Sequence, residues 1–413
     1  MPVNNQPGLY PPDMMNSGRS DLLPLLVIGG LSAITIGITK VYIPLNAVAL
    51  EANEVQLGYA AAAMPLGMML MSFPAGKLLN RLNPRCIFSI GISLACLFYL
   101  LAPLIQSIWA FIILMIMVSA TLPLRFVIIQ KKFLLLMQHI GSTGAGWLRA
   151  TQMLGAFVVG PTIAGLYLGI GSPGDMPFII VAILVLLLIL SYGTRGIQTQ
   201  HHLPGDDKDC HSRGFNSIRS DKMSLRSAYF IESINSAVIH IFNAFCVFFV
   251  VEKYGLSADS GTSLIIWQGI GFAGALLVGG KLLKHIDHNS AKLAALTISL
   301  ILLMLMPSTS SIWQAKLISI TLGTAMATLT IINMHTFSKL SHDDATSNRI
   351  ATMSIFVTPM GGVLGTIVSG YCAKEAGVES VYYLSSVLVS ALLIGVIFHQ
   401  SRIRKGALNA SAN

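Results

Sequence analysis

Four residues in one apolar stretch have the types and spacing to handle protons and a polar solute. Glu232, Ser236, His240 and Asn243 fall at i, i+4, i+8 and i+11 between residues 226 and 251, with Asn235 at the edge of the same stripe. On an α-helix that spacing puts them on one face. A carboxyl group and an imidazole can exchange protons, while hydroxyl and amide neighbours can hold a solute by hydrogen bonds. Glu232 is the only acid placed inside an apolar stretch, which makes it the candidate for proton coupling. It also lies six positions after Arg226, so a snorkelling carboxylate at a membrane boundary is the competing reading. His240 likewise has a purely structural reading.

Two cations join this set. Lys40 lies in the first apolar stretch, well off a stripe of Ser32, Thr35, Thr39, Tyr42 and Asn46 that shares one helical face. A stripe of neutral hydrogen-bonding groups suits the wall of a water-filled cavity. Lys40, being off it, is placed equally well to snorkel, to pair with another helix or to meet a solute. Arg125, with Thr121 one turn earlier, lies in the fourth stretch. Arginine keeps its charge, so it serves as an anion contact or as a perturber of a nearby acid. Lys40, Arg125 and His240 against a single Glu232 make this interior positive and favour an anionic or carboxylate-bearing solute. His201, His202, Asp206, Asp207, Asp209, Cys210 and His211 have metal-ligand types but no fixed spacing, so no metal and no cofactor are expected.

The elements that must position these groups follow from composition. Of 413 residues, 54% are hydrophobic and 10% charged, with a mean hydropathy of +0.72. A globular chain carries about 25% charged residues. Apolar runs of the length that crosses a hydrocarbon core, about 20 residues, recur near 22–48, 57–79, 86–106, 108–130, 144–170, 177–194, 226–251, 262–283, 291–307, 312–336, 350–373 and 380–399. The expected fold is an all-α membrane protein with 12 transmembrane helices in two six-helix bundles, 22–194 and 226–399. A polar linker at 195–225 joins them, and tails occupy 1–21 and 400–413. Residues 1–21 hold prolines and Asp13 before the first run, which does not read as a cleaved signal peptide.

All but four of the 26 Lys and Arg then fall on one side, the exceptions being Lys40, Lys253, Lys316 and Lys374. The other side carries Glu51, Glu54, Asp175, Glu252, Asp259, Glu375 and Glu379. The positive-inside rule puts both termini in the cytoplasm of a multi-pass protein of a bacterial inner membrane. The formal charge of +9 thus belongs to topology, and no nucleic-acid partner is expected. Five cysteines without paired spacing argue against a disulfide framework. The stretches hold no second acid, metal set or phosphate-binding glycine loop, so neither an enzyme nor a nucleotide-driven pump is expected.

The two bundles repeat. Gly76–Arg85 has an echo at Gly280–Asn289, Gly67 at Gly271, and Ser107-Ile108-Trp109 at Ser311-Ile312-Trp313, always 204 residues on. Twelve spans, this repeat and a basic turn after spans 2 and 8 resemble the major facilitator superfamily, whose turn reads approximately G-x-L-x-D-R-x-G-R-R. Gly76, Leu78, Arg81 and Arg85 stand in register, while Asn80 replaces the acid, Asn83 a glycine and Pro84 an arginine. The resemblance implies that residue 80 caps span 11 in one conformation. Asn80 can accept that bond without the charge–dipole contribution, so a weaker gate latch is expected.

Gly160-Pro161-Thr162-Ile163-Ala164-Gly165 resembles the superfamily's antiporter motif G-P-x-x-G-G, with Ala164 for one glycine and Gly155 one residue off the usual spacing. The resemblance implies a bent span 5 packed on the opposite half, and export. Arg125 resembles the span-4 arginine of proton-coupled antiporters, although Gln130 comes five residues later without a glycine. Span 1 lacks the acid that exporters of cationic drugs often carry. The expectation is a monomeric, proton-coupled exporter of a small amphipathic or anionic molecule (a drug, siderophore or metabolite) working by alternating access. Proton-coupled import and a non-transporting sensor are the alternatives.

Overall fold

A computed structural model describes residues 12–79, 82–126, 128–129, 150–193, 215–282, 286–340 and 344–411. Among these, twelve helices are long and apolar enough to cross a membrane, and there is no strand. Lipid offers backbone amides no partners, so each crossing segment satisfies its own by i→i+4 bonding. The helices are α1 (Pro12–Ala49), α2 (Glu54–Leu79), α3 (Pro84–Leu101) and α4 (Ile108–Ala120), whose span runs on past Thr121 to Phe126. Next come α5, described over Ala150–Leu168, and α6 (Met176–Gly193). The second half holds α7 (Phe215–Tyr254), α8 (Ala258–Leu282), α9 (His288–Leu305), α10 (Ile312–Leu340), α11 (Asp344–Ala376) and α12 (Ser380–Ser411).

Sequence periodicity placed the spans but shortened several ends. α1 begins at Pro12, α7 at Phe215 and α12 ends at Ser411, within the stretches expected as tails and linker. Polar residues do not interrupt a helix whose backbone is already paired, so hydropathy marks the lipid core and not the helix end. Twelve crossings, an even number, return the chain to the face from which it starts, here the terminal face; the other is the distal face.

The repeat is visible in local geometry. Gly67 on α2 comes so close to α4 that an added Cβ would stand 2.8 Å from Ala120 N, and it also faces the Ile116 carbonyl. Gly271 on α8 faces the Ile320 carbonyl of α10 in the same way, 204 residues on in both partners. Asn83 caps α3 by accepting from Arg85 N (3.0 Å), and Asp287 caps α9 by accepting from Ser290 N (3.0 Å). Asn83 and Pro84, two of the three departures from the family turn, therefore form an N-cap followed by proline in the first helical turn. The Ser290 backbone and hydroxyl bonds hold the Asp287 carboxyl below its ordinary range. At the distal face Glu51 and Gly255 end α1 and α7 with φ of 55° and 61°, so a glutamate holds in one half the left-handed turn that glycine makes in the other. Trp109 and Trp313 begin α4 and α10 largely exposed, as interfacial aromatics do.

The halves meet along α2–α11 and α5–α8. Gly58 and Gly370 bring the distal ends of α2 and α11 together, an added Gly58 Cβ lying 3.0 Å from Gly370 Cα, and the Tyr59 and Tyr371 hydroxyls bond at 2.9 Å. Within the second half, the Lys253 ammonium reaches the Glu379 carboxylate and the Pro307 carbonyl at the distal end.

Candidate functional site

The α7 stripe divides into two parts. Its lower part is engaged by α10: Asn333 Nδ2 donates to Glu232 Oε2 at 3.0 Å, and Asn235 Nδ2 donates to Thr330 Oγ1 (3.1 Å) and the Met326 carbonyl (3.3 Å). Glu232 is thus half-buried and hydrogen-bonded within its own half. Higher on α7, His240 is lodged against Gly362 of α11, where an added Cβ would stand 2.7 Å from His240 Cδ2. Gly361 and Gly365 press on Ser233 and Ala237 of the same helix, so α11 packs along the side of α7 next to the stripe. Asn243, one turn beyond His240, is buried, and its amide oxygen and nitrogen have no hydrogen-bond partner among the described residues.

Opposite His240 the first half contributes Lys40. It lies within electrostatic range of His240, and its Nζ stands 3.4 Å from the centroid of the Phe157 ring on α5. Phe157 in turn stacks on Phe272 of α8, with centroids 5.3 Å apart and planes at 13°. Gly269 makes the approach possible, since a Cβ there would collide with the Phe157 backbone. Gln268, beside it on α8, is 1% exposed with neither amide atom hydrogen-bonded among the described residues. Buried amides without partners cost free energy that a bound polar solute or water recovers. The seam between the halves therefore gathers two basic side chains and two stacked rings from α1, α5, α7 and α8, while Asn243 and Gln268 are buried unsatisfied amides on α7 and α8.

A π-turn aims Phe157. Residues Gly155–Val159 are π-helical, with Gly160 N–H donating to the Gly155 carbonyl, five residues back. The extra residue brings Gly155 and Gly160 to the same side of α5, facing Gly30 and Ile34–Gly37 of α1. This accounts for the one-residue offset of Gly155. The expectation that the motif glycines pack on the opposite half is corrected for Gly160 and Pro161, which pack on α1 of their own half around Gly37; Gly165 alone faces α8, with an added Cβ 3.8 Å from Thr262.

The α1 stripe is also placed differently from its expectation. Ser32, Thr35, Thr39 and Tyr42 are at most 1% exposed and do not line a water-filled cavity here. Thr35 and Thr39 donate to carbonyls of their own helix, Thr39 Oγ1 bonds Tyr99 of α3 at 2.5 Å, and Tyr42 meets Phe111 of α4 edge-on. Arg125 lies behind this stripe beside Tyr99, 1% exposed, with Nε and Nη1 unbonded among the described residues. Of the gating motif, Gly76 and Leu78 end α2, with Leu78 half-buried, and Arg85 opens α3. Asn80, Arg81 and the 201–211 cluster lie outside the described residues. Sequence reasoning missed Phe157, Phe272 and Gln268, which look like ordinary apolar or span residues; only the displaced Gly155 hinted at the turn.

Comparison with known proteins agrees with this architecture. The solved structure of the nucleoside transporter NupG superimposes with a TM-score of 0.70 at 14% identity, covering 91% of this chain and 98% of that one, and a NupG variant gives 0.72 at the same identity. FucP, a major facilitator transporter crystallised in the outward conformation, gives 0.59 at 17% identity, covering 91% and 98%. No curated protein matches the sequence. The family model for the Major Facilitator Superfamily matches residues 25–366, and with twelve spans, repeated halves and a polar seam between them, the chain belongs to the major facilitator superfamily of transporters.

Proposed function

We propose that this transporter moves a small anionic or amphipathic organic solute by rocking its halves about the seam, with proton exchange at Glu232 driving export. The observation that carries the solute class is Lys40, a cation brought between the halves over Phe157 with no carboxylate paired to it among the described residues. An anion there gains charge-assisted hydrogen bonds, and the Phe157–Phe272 stack gives an apolar or planar part a surface. Since NupG is a nucleoside transporter, nucleosides join drugs, siderophores and carboxylates as solutes to test. Both termini are assigned to the cytoplasm of a bacterial inner membrane by the charge asymmetry, and the working unit is a monomer.

Import is the second reading. It is favoured by the α5 motif, where Ala164 replaces a glycine and Gly160 packs within its own half. Cells expressing wild type, Lys40→Met or Glu232→Gln at equal membrane levels, profiled by mass spectrometry with and without a collapsed proton gradient, separate the readings. Export requires solutes enriched in the medium by wild type alone and only with the gradient. Enrichment in the cytosol reverses the direction, and equal profiles for all three proteins reject the site.

A further inference from the structure

Apart from the seam, the chain has a groove of about 560 Å³ between the terminal ends of α3 and α6. Its upper rim is polar: Arg85 in the first turn of α3, and Ser89, whose hydroxyl donates to the Tyr192 hydroxyl of α6 at 3.2 Å. Below, Ile90, Ser93 and Leu94 line a slot that runs along α3 toward the lipid core. Ile90 is 41%, Leu94 37% and Tyr192 65% exposed, so the groove opens sideways onto the bilayer, not into the seam. The order from rim to floor is a cation, two hydroxyls, then hydrocarbon. A phospholipid has the same order, with its phosphate at the interface and its chains beneath. The terminal face also carries most of the chain's Lys and Arg, which concentrates anionic lipids in that leaflet.

We propose that this groove is a binding site for one anionic phospholipid, with the phosphate on Arg85 and the Ser89–Tyr192 pair and an acyl chain along Ile90 and Leu94. A guanidinium at the interface binds phosphate through two parallel N–H···O bonds, and the slot supplies contact that a soluble phosphate cannot use. Seated there, the lipid bridges α3 to α6.

Cys86 lines the same groove and is exposed, so the chain carries its own reporter. The test reconstitutes the full-length protein in nanodiscs of phosphatidylcholine, with and without a fifth of the lipid replaced by phosphatidylglycerol. Maleimide labelling is followed by peptide mass spectrometry, with Cys372 at the distal end of α11 as the internal reference. The expected result is Cys86 labelling slowed at least threefold by phosphatidylglycerol, with Cys372 unchanged. Arg85→Gln and Ser93→Trp, the second filling the slot while keeping the charge, should each abolish the slowing. If Ser93→Trp keeps it, surface charge and not a seated chain is responsible, and the proposal fails. Equal slowing by soluble glycerol phosphate would make this a free phosphate site and also overturn it, as would equal rates in the two lipids for wild type.

Discussion

Lys40 Nζ stands 3.4 Å from the centroid of the Phe157 ring, and this contact joins the cation of α1 to the π-turn of α5 at the seam with the second half. A desolvated cation–π pair contributes about 2 kcal/mol. Phe157→Leu keeps most of the apolar volume and removes the ring, so the purified protein should lose roughly 1–2 kcal/mol of stability. Lys40 should become more reactive toward amine-modifying reagents. Lys40→Met removes the same pair together with the cost of burying an ammonium, so thermal stability should change little while solute binding weakens at least tenfold, which is about 1.4 kcal/mol. Calorimetry and solute titration in detergent read the two effects separately.

Glu232 and Asn333 form the second test. Glu232→Gln keeps an amide oxygen for the 3.0 Å bond from Asn333 and removes only the exchangeable proton. If Glu232 couples transport to protons, proteoliposomes containing the variant should still exchange solute down its own gradient but no longer respond to an imposed pH step. Asn333→Ala removes a bond to a charged group, worth about 1.5–3 kcal/mol. It should lower stability and shift the pH midpoint of transport. Unchanged pH dependence in both variants would make Glu232 a structural residue.

How much of this could be read in the sequence depended on what sets each feature. Twelve spans and two halves follow from hydropathy and a 204-residue repeat, both properties of composition along the chain. Asn83 and Pro84, which break the family turn, were legible as departures; their role as helix cap needed the backbone. The α1 stripe shows the limit. Its spacing gave a true common face, but a face can turn inward as readily as toward a cavity, and Tyr99 and Phe111 decide that it turns inward. Lys40 reached the seam because it is off that stripe. Phe157 was invisible because a π-turn changes the phase of a helix without changing its composition.

The paired glycines give a sharp contrast in stability. A Cβ at Gly271 would run into the Ile320 carbonyl and stand 2.8 Å from its carbon, whereas at Gly274, one turn on, nothing lies within 4 Å. Gly271→Ala should cost about 1–3 kcal/mol through overpacking of α8 on α10. Gly274→Ala should be neutral or stabilising by up to about 1 kcal/mol, because alanine favours the helix. Thermal unfolding of the two variants, measured side by side, checks the helix spacing directly.

Glu51 occupies the left-handed turn that Gly255 occupies in the second half, with φ of 55° against 61°. A side chain in that region costs about 1–2 kcal/mol. Glu51→Gly removes the strain but enlarges the unfolded ensemble by roughly 0.5–1 kcal/mol. The net expectation is a gain of up to about 1.5 kcal/mol, seen as a higher Tm with unchanged transport. A loss of stability would show that the Glu51 side chain contributes more than its backbone costs.

The distal closure between the halves rests on backbone contact more than on hydrogen bonding. An added Cβ at Gly370 would meet the Glu54 carbonyl at 2.9 Å and Gly58 Cα at 3.1 Å, both backbone atoms that cannot turn aside. The Tyr59–Tyr371 bond is between partly exposed hydroxyls and contributes about 0.5–1.5 kcal/mol. Tyr371→Phe should therefore leave the closed arrangement dominant, whereas Gly370→Val should wedge α2 and α11 apart and favour the distal-open state. Cys372, two residues beyond the glycine, supplies the readout: its maleimide labelling should rise severalfold in Gly370→Val and change less than twofold in Tyr371→Phe. The reverse order would place the closure in the tyrosine pair and not in the glycine contact.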